Sequence, residues 1–415
     1  MADLNLPEKM KCDVLIIGAG PAGSSLACFL SDYGIETILI DKKKYPDIPV
    51  RCAELVSGNL FTLFKEKTNG INFKISRMQT YINGVLKNEI PSPSVMLDRE
   101  IFIDSVIKKF IKNNGTFLNS AYFESIISIC KNKKETDFTD FSRDHFKKVT
   151  RKNFSFGSGG AVTYENFADN VNAVIFKKDS RKTFIINAKI IVCADGPEGI
   201  SRKKINMPSD AEDNSGYILA YQETLRKTDK YYDKAMIFFY PYITNGYGWI
   251  FPKSDTFNAG IGIGISKSNS DKENLLARYN IFKKDIRTAG FLNGDEKVVK
   301  KITGTAPCTG IRYPISVSNF IFAGDAAGLC NPVTGAGIYN AVWSSKIISD
   351  NISGFLKTGD YNILNEIDLK IGSYFSSSIE RALKKREYAG IHWPGEDFEE
   401  LIRQTWISFK DYWKK

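Results

Sequence analysis

The sequence predicts an α/β fold: a doubly wound, Rossmann-type sheet, joined to a second, antiparallel sheet and followed by C-terminal helices. Three observations carry that prediction. Residues 14–40 read as strand, glycine turn, helix, strand. A second apolar strand, 184–193, runs into Ala194-Asp195-Gly196. A third, 320–324, ends in Gly324-Asp325 and is followed by a helix that opens on glycines. Short β-branched runs that alternate with helices are what buried parallel strands require.

The elements follow in order. Residues 14–17 are apolar and β-branched, residues 22–31 are small and apolar enough to lie against a sheet, and 37–40 form the next strand, ending at Asp41. Residues 96–111 have helical periodicity through Phe102, Val106, Phe110 and Ile111. A lysine-rich region, 131–170, follows and reads as strands with long loops, or as an insertion. Residues 171–176 and 184–193 alternate as strands, and 217–266 alternate with many aromatics, as an antiparallel sheet does. Gly335-Ala336-Gly337 opens a helix running to about Asn351. The tail carries Phe398, Ile402, Trp406, Phe409 and Trp413 at helical spacing. The domain division this implies is a discontinuous dinucleotide unit (1–73, 97–208, 300–350), a substrate unit (74–96, 209–299) and a helical region (351–415).

Composition limits the function classes. With 43% hydrophobic and 25% charged residues, the chain is ordinary globular material, which excludes collagen-like, low-complexity and disordered readings. Its 415 residues suit two or three domains, or one large α/β unit with a module appended. It has no apolar run of about 18 residues, and its first residues carry acids without an apolar signal core, so neither a membrane span nor a secretory signal is expected. Seven scattered cysteines suggest reduced thiols, and the chain reads as cytoplasmic. Lys and Arg number 57 against 47 Asp and Glu, a net charge of +10 that favours anionic partners such as a membrane surface or a phosphorylated small molecule. With no zinc-finger or RNA-binding signature, nucleic acid is set aside. His145 and His392 are the only histidines and lie in no motif, so a histidine base or metal site is not expected.

The first motif is Gly18-x-Gly20-x-x-Gly23, with Pro21 and Ala22 inside it. Gly18 allows the tight turn, Gly20 the approach of a pyrophosphate, and Gly23 close packing of helix on strand. The helix N-terminus then offers free N–H groups to phosphate. Asp41, 23 residues past Gly18, is placed to accept hydrogen bonds from a ribose. This unit points to a dinucleotide, either NAD(P) or FAD.

Residues 190–202 (IIVCADGPEGISR) carry Asp195 and Gly196 in a strand-Asp-Gly-x-x-Ser-x-x-Arg pattern, with Ser201 one position late. Residues 322–338 (FAGDAAGLCNPVTGAGI) carry Gly324, Asp325, Gly335, Gly337 and Ile338. Here the chain resembles the FAD family of the para-hydroxybenzoate hydroxylase type. The resemblance implies that Asp325 contacts the ribityl or pyrophosphate region and that the following helix points its N-terminus at the flavin. A helix N-terminus stabilises the negative charge of reduced flavin. A narrower resemblance, to geranylgeranyl reductases, rests on Tyr247-Gly-Trp249-Ile-Phe251-Pro, on the basic loop 42–57 (Lys42, Arg51, Cys52, Ala53), on Arg99, and on Gly328 where hydroxylases usually have His. Together these cover about the first 340 residues. The loop departs from the family pattern, reading Cys52-Ala53-Glu54-Leu55 without its usual second glycine, and Asp41 replaces the commoner Glu.

The resemblance implies reduction of carbon–carbon double bonds in a prenyl chain or lipid by hydride from flavin N5. Lacking a second GxGxxG, the chain would take electrons from transiently docked NAD(P)H or a ferredoxin-like carrier. Cys52 is a proton source or redox partner at the flavin, or simply a small buried hydrophobe. Tyr247, Trp249 and Phe251 alternate and so share one strand face, either an isoprenoid pocket or sheet core. Gly260-Ile-Gly262-Ile-Gly264 lacks phosphate-loop spacing and reads as a closely packed strand. The tail stripe rests on a membrane surface, making the protein peripheral, or is core. The rival functions are an FAD monooxygenase acting on an aromatic or isoprenoid substrate, and a non-catalytic flavin-binding protein that docks on membranes.

Overall fold

Strand register accounts for the positions of the motifs in this computed structural model, which describes residues 7–46, 48–131, 134–137, 167–205, 207, 216–226, 233–264 and 270–414. Lys9–Ile17 pairs in parallel with Thr37–Ile40 and with Lys182–Cys193, which pairs in parallel with Phe320–Phe322. The partners Ile17–Ile40, Ile17–Cys193 and Cys193–Phe322 are directly opposite, so all four carboxyl ends lie level. The glycine turn, Asp41, Asp195 and Asp325 therefore emerge along one edge, where open α/β sheets bind their ligands. Thr116–Leu118 adds a parallel edge strand, while Asn170–Lys177, Ala121–Lys131 and Lys134–Asp137 extend the other side antiparallel. Helix Pro21–Ser31 lies against helix Ile338–Thr358, where Ser345 Oγ donates to the carbonyl of Ala22 at 2.9 Å.

The second sheet has eight strands, in the order Val298–Pro307, Tyr217–Arg226, Thr256–Gly264, Tyr247–Pro252, Lys234–Phe239, Ile71–Ile82, Val85–Leu97 and Leu55–Ser57. It is antiparallel, as expected, except where Lys234–Phe239 runs parallel to Ile71–Ile82. Leu55–Ser57 and Val298–Pro307 also belong to it, so the expected unit edges at 73 and 300 do not coincide with the sheet edges. Its two faces are distinct. Phe238, Ile250 and Ile261 pack under helix Ser270–Thr288 with Tyr279, Phe282 and Ile286. Ile237, Phe239, Trp249 and Phe251 face the other way, part of them covered by the tail.

Three helix expectations are corrected. The predicted helix at 96–111 begins at Arg99, because Asp98 caps it by accepting from the Ile101 amide while Met96 and Leu97 complete a strand. The helix from Gly337 runs past Asn351 to Thr358 and stops at left-handed Gly359. The tail is α-helical over Phe398–Thr405, Trp406 is extended, and a short 3₁₀ turn follows at Lys410–Trp413; Phe398, Ile402, Trp406 and Phe409 are buried against the second sheet, leaving Trp413 as the exposed ring. The stripe is core, so it offers no membrane-facing stripe. Among the described residues no helix is long and apolar enough to cross a membrane. The lysine-rich region lies outside the described residues over 138–166. All seven cysteines are free.

Candidate active site

One continuous cavity of about 1240 Å³ runs from the level strand ends of the first sheet onto the exposed face of the second. This exceeds the roughly 300–1,000 Å³ of a usual small-molecule pocket, leaving room for two ligands end to end. Its lining changes character along the way.

The polar arm holds Gly18, Gly20, Pro21, Ala22, Asp41, Lys42, Arg51, Cys52, Ala53, Arg99, Asp195, Gly196, Asp325, Gly335, Gly337 and Ile338. Gly18 has φ +100, and a Cβ there would meet the Ala194 carbonyl oxygen at 2.5 Å. Gly23 and Gly324 stand behind the wall instead of lining it. A Cβ on Gly23 would lie 1.8 Å from the Gly18 carbonyl oxygen, and one on Gly324 would lie 2.9 Å from Ala22 Cβ. Gly23 thus has the close helix–strand packing its place in the motif implies, and Gly324 packs against Ala22. At Gly20 and Gly196, by contrast, a Cβ would meet nothing within 4 Å, so the backbone is bare toward the cavity.

Two helices, Pro21–Ser31 and Ile338–Thr358, begin at this arm, and neither has a side-chain cap. Their first amides form sites for anionic groups. Asp41 braces the turn, with one oxygen accepting from the Ala19 amide and the other from the Lys43 amide, both at 2.7 Å. Each carboxylate oxygen keeps a lone pair for a ribose hydroxyl. Asp195 accepts from Ser201 through its amide (2.7 Å) and hydroxyl (2.9 Å), so the late serine still closes the motif; its second oxygen is buried and has no hydrogen-bond partner among the described residues. Burial raises the Asp195 carboxyl above its ordinary range. Burial also raises Asp325, with Arg99 and then Arg312 pulling against it. Bare backbone, two uncapped helix starts and buried carboxylates match the needs of a flavin dinucleotide.

The apolar arm is the outward face of Tyr247–Pro252. Tyr247, Trp249 and Phe251 all line it, with centroids 5.8 Å apart for the first pair and 6.2 Å for the second. Trp249 Nε1 donates to Gln222 at 3.0 Å, and Tyr247 Oη donates to the Thr334 carbonyl at 2.5 Å. That last bond joins the aromatic arm to the loop that opens helix Ile338–Thr358. Gly260 is required here: a Cβ on it would lie 2.4 Å from the Trp249 ring.

Cys52 is half-buried on the wall, and its sulfur accepts from the Glu54 amide at 3.3 Å. Glu54 lines the cavity with φ +68, a left-handed conformation unusual for a side chain of its size. It is held by Lys253 Nζ at 2.7 Å, Asn258 Nδ2 at 3.4 Å and the Arg99 amide at 3.2 Å. The motifs did not point to Glu54 or Lys253. Trp406 also lines the cavity, and its only sequence signal was the tail stripe.

Fold and site together define an FAD-dependent oxidoreductase. The chain belongs to the family whose model, described as FAD binding domain, matches residues 11–365. It is similar to digeranylgeranylglycerophospholipid reductase 3 of Methanosphaera stadtmanae, at 28% identity, covering 90% of this chain and 84% of that one. It is also similar to the digeranylgeranylglycerophospholipid reductase of Methanococcus vannielii, at 27% identity over 91% and 83%. In fold it matches a geranylgeranyl bacteriochlorophyll reductase-like protein of Thermoplasma acidophilum (TM-score 0.76, 19% identity, 97% and 92% covered). It matches less well the Pseudomonas aeruginosa protein PqsL solved with 2-aminobenzoylacetate (TM-score 0.68, 13% identity, 94% and 98% covered). The resemblance to geranylgeranyl reductases is borne out.

Proposed function

We propose that this protein saturates carbon–carbon double bonds in the prenyl chains of a lipid of the kind its reductase relatives are named for. The observation that carries the reading is the single cavity, polar at one end and aromatic at the other, with Tyr247 tied to the loop between the two. Gly18, Gly20, Asp41, Arg99, Asp195, Gly196 and Asp325 would hold FAD, with Lys42 and Arg51 adding positive charge. Reduced FAD, when bound, supplies hydride from N5 to one alkene carbon. The start of helix Ile338–Thr358, at Gly335 and Gly337, would favour the negative charge on that cofactor.

Tyr247, Trp249 and Phe251 hold the chain and exclude water, turning a bimolecular encounter into a positioned one. The second alkene carbon takes a proton. Cys52 is our candidate to deliver it, with solvent returning the proton to its sulfur afterwards. Electrons reach the site from NAD(P)H docking transiently or from a ferredoxin-like carrier, and the net charge of +10 suits an anionic lipid surface.

The test is anaerobic turnover of the dithionite-reduced holoprotein with a digeranylgeranyl glycerophospholipid, followed by mass spectrometry of the lipid. The expected product gains two hydrogens for each bond reduced. A lipid unchanged relative to a no-enzyme control defeats the reading, and a product that gains oxygen only in air would establish a hydroxylase.

A further inference from the structure

We propose that the C-terminal segment around Trp406 and Ile407 is the end wall of the apolar arm and sets the length of chain the protein accepts. This rests on the prenyl-chain reading above and adds a specificity-determining element outside the motif-bearing part of the chain. The outward face of the second sheet is covered in two ways: one part borders the cavity and the other lies under the tail. The boundary falls at Trp406, which lines the cavity while its ring packs 5.1 Å from Phe239 and 5.0 Å from Tyr247. Ile407 continues the wall, half-buried.

The segment is tied down on both sides of that point. Ser408 exchanges a 3.0 Å hydrogen bond with Thr80, and its carbonyl accepts from Asn88 Nδ2 at 2.6 Å. Upstream, Glu399 pairs with Lys87 at 2.6 Å. The wall is therefore fixed to the sheet and does not hang as a flap. Trp406 brings size to the position and no hydrogen bond: its indole N–H is buried and has no partner among the described residues. A buried donor without an acceptor is unfavourable, so a phenyl ring would satisfy the packing chemistry better while filling less of the arm. Ring bulk is what this position contributes.

The experiment uses FAD-loaded wild type, Trp406→Phe and Ile407→Ala, with prenyl diphosphates of two to five isoprene units as probes. Two readouts are taken: the flavin absorbance change on binding to oxidised protein, and the rate of anaerobic flavin reoxidation. We expect wild-type affinity to fall beyond one chain length. We also expect both variants to raise the affinity ratio of longest to shortest chain by about 10-fold, within what a few methylenes command in an apolar pocket. Trp406→Phe should keep its flavin and its melting temperature, so the comparison does not depend on a damaged fold. An identical length profile in wild type and both variants overturns the inference, as does failure of wild type to bind any chain. If chains bind with the expected shift but none reoxidises the flavin, the wall stands and the reductase reading falls.

Discussion

Gly20 and Gly23 sit three residues apart in one turn, and substitution at each should fail differently. An alanine methyl at Gly20 would enter open cavity, where the backbone already has an ordinary φ of −71. Gly20→Ala should leave the melting temperature of the apoprotein unchanged while weakening FAD binding about 10-fold or more, measured by titration of the cofactor. Gly23→Ala drives a methyl toward the Gly18 carbonyl, and such overpacking costs about 1–3 kcal/mol or more. It should lower the apoprotein's melting temperature. Equal effects of the two would mean that the roles assigned to the turn are wrong. Glycines were readable in the sequence because their need for space is local. Glu54 was not readable. Its backbone is left-handed and its carboxylate is held by a lysine 199 residues away, and no local pattern announces such a pairing. Cys52 was visible only through resemblance, and its hydrogen bond to the Glu54 amide depends on that same unannounced turn.

At the scale of elements, the long helix Asn362–His392 is pinned to the first sheet through Asp368, which accepts from the amides of Ile315 (2.7 Å) and Ser316 (3.0 Å). The residue keeps some exposure, but its carboxyl is turned inward, and burial pushes its pKa up to about 6. A carboxyl raised in the folded state contributes stability that is complete below its unfolded pKa near 4 and is lost as pH rises through about 6. Asp368→Asn abolishes that titration. The stability of wild type relative to the variant should therefore fall by roughly 1–3 kcal/mol between pH 4 and pH 7. Melting temperatures of the two proteins across that range provide the check, and a pH-independent gap would contradict it. The strand–turn–helix units were legible because the buried parallel strands and their turns leave strong local signals. The tail misled because Phe398, Ile402 and Trp406 keep helical spacing where burial against a sheet, not helix periodicity, decides the conformation from Trp406 to Phe409.

At the scale of the whole molecule, function follows from where two sheets meet. Level strand ends gather the glycine turn, Asp41, Asp195 and Asp325 along one edge, and the second sheet brings Tyr247, Trp249 and Phe251 to the same cavity. The sequence held both sets of residues but not their meeting, since Leu55–Ser57 and Val298–Pro307 reach the second sheet from far apart in the chain. The decisive measurement is the anaerobic absorbance of the reduced holoprotein after mixing with a digeranylgeranyl lipid, beside the same lipid fully saturated. A prenyl-chain reductase should recover the oxidised flavin spectrum with the unsaturated lipid alone. No recovery with either lipid, or equal recovery with both, would rule out double-bond reduction at this flavin.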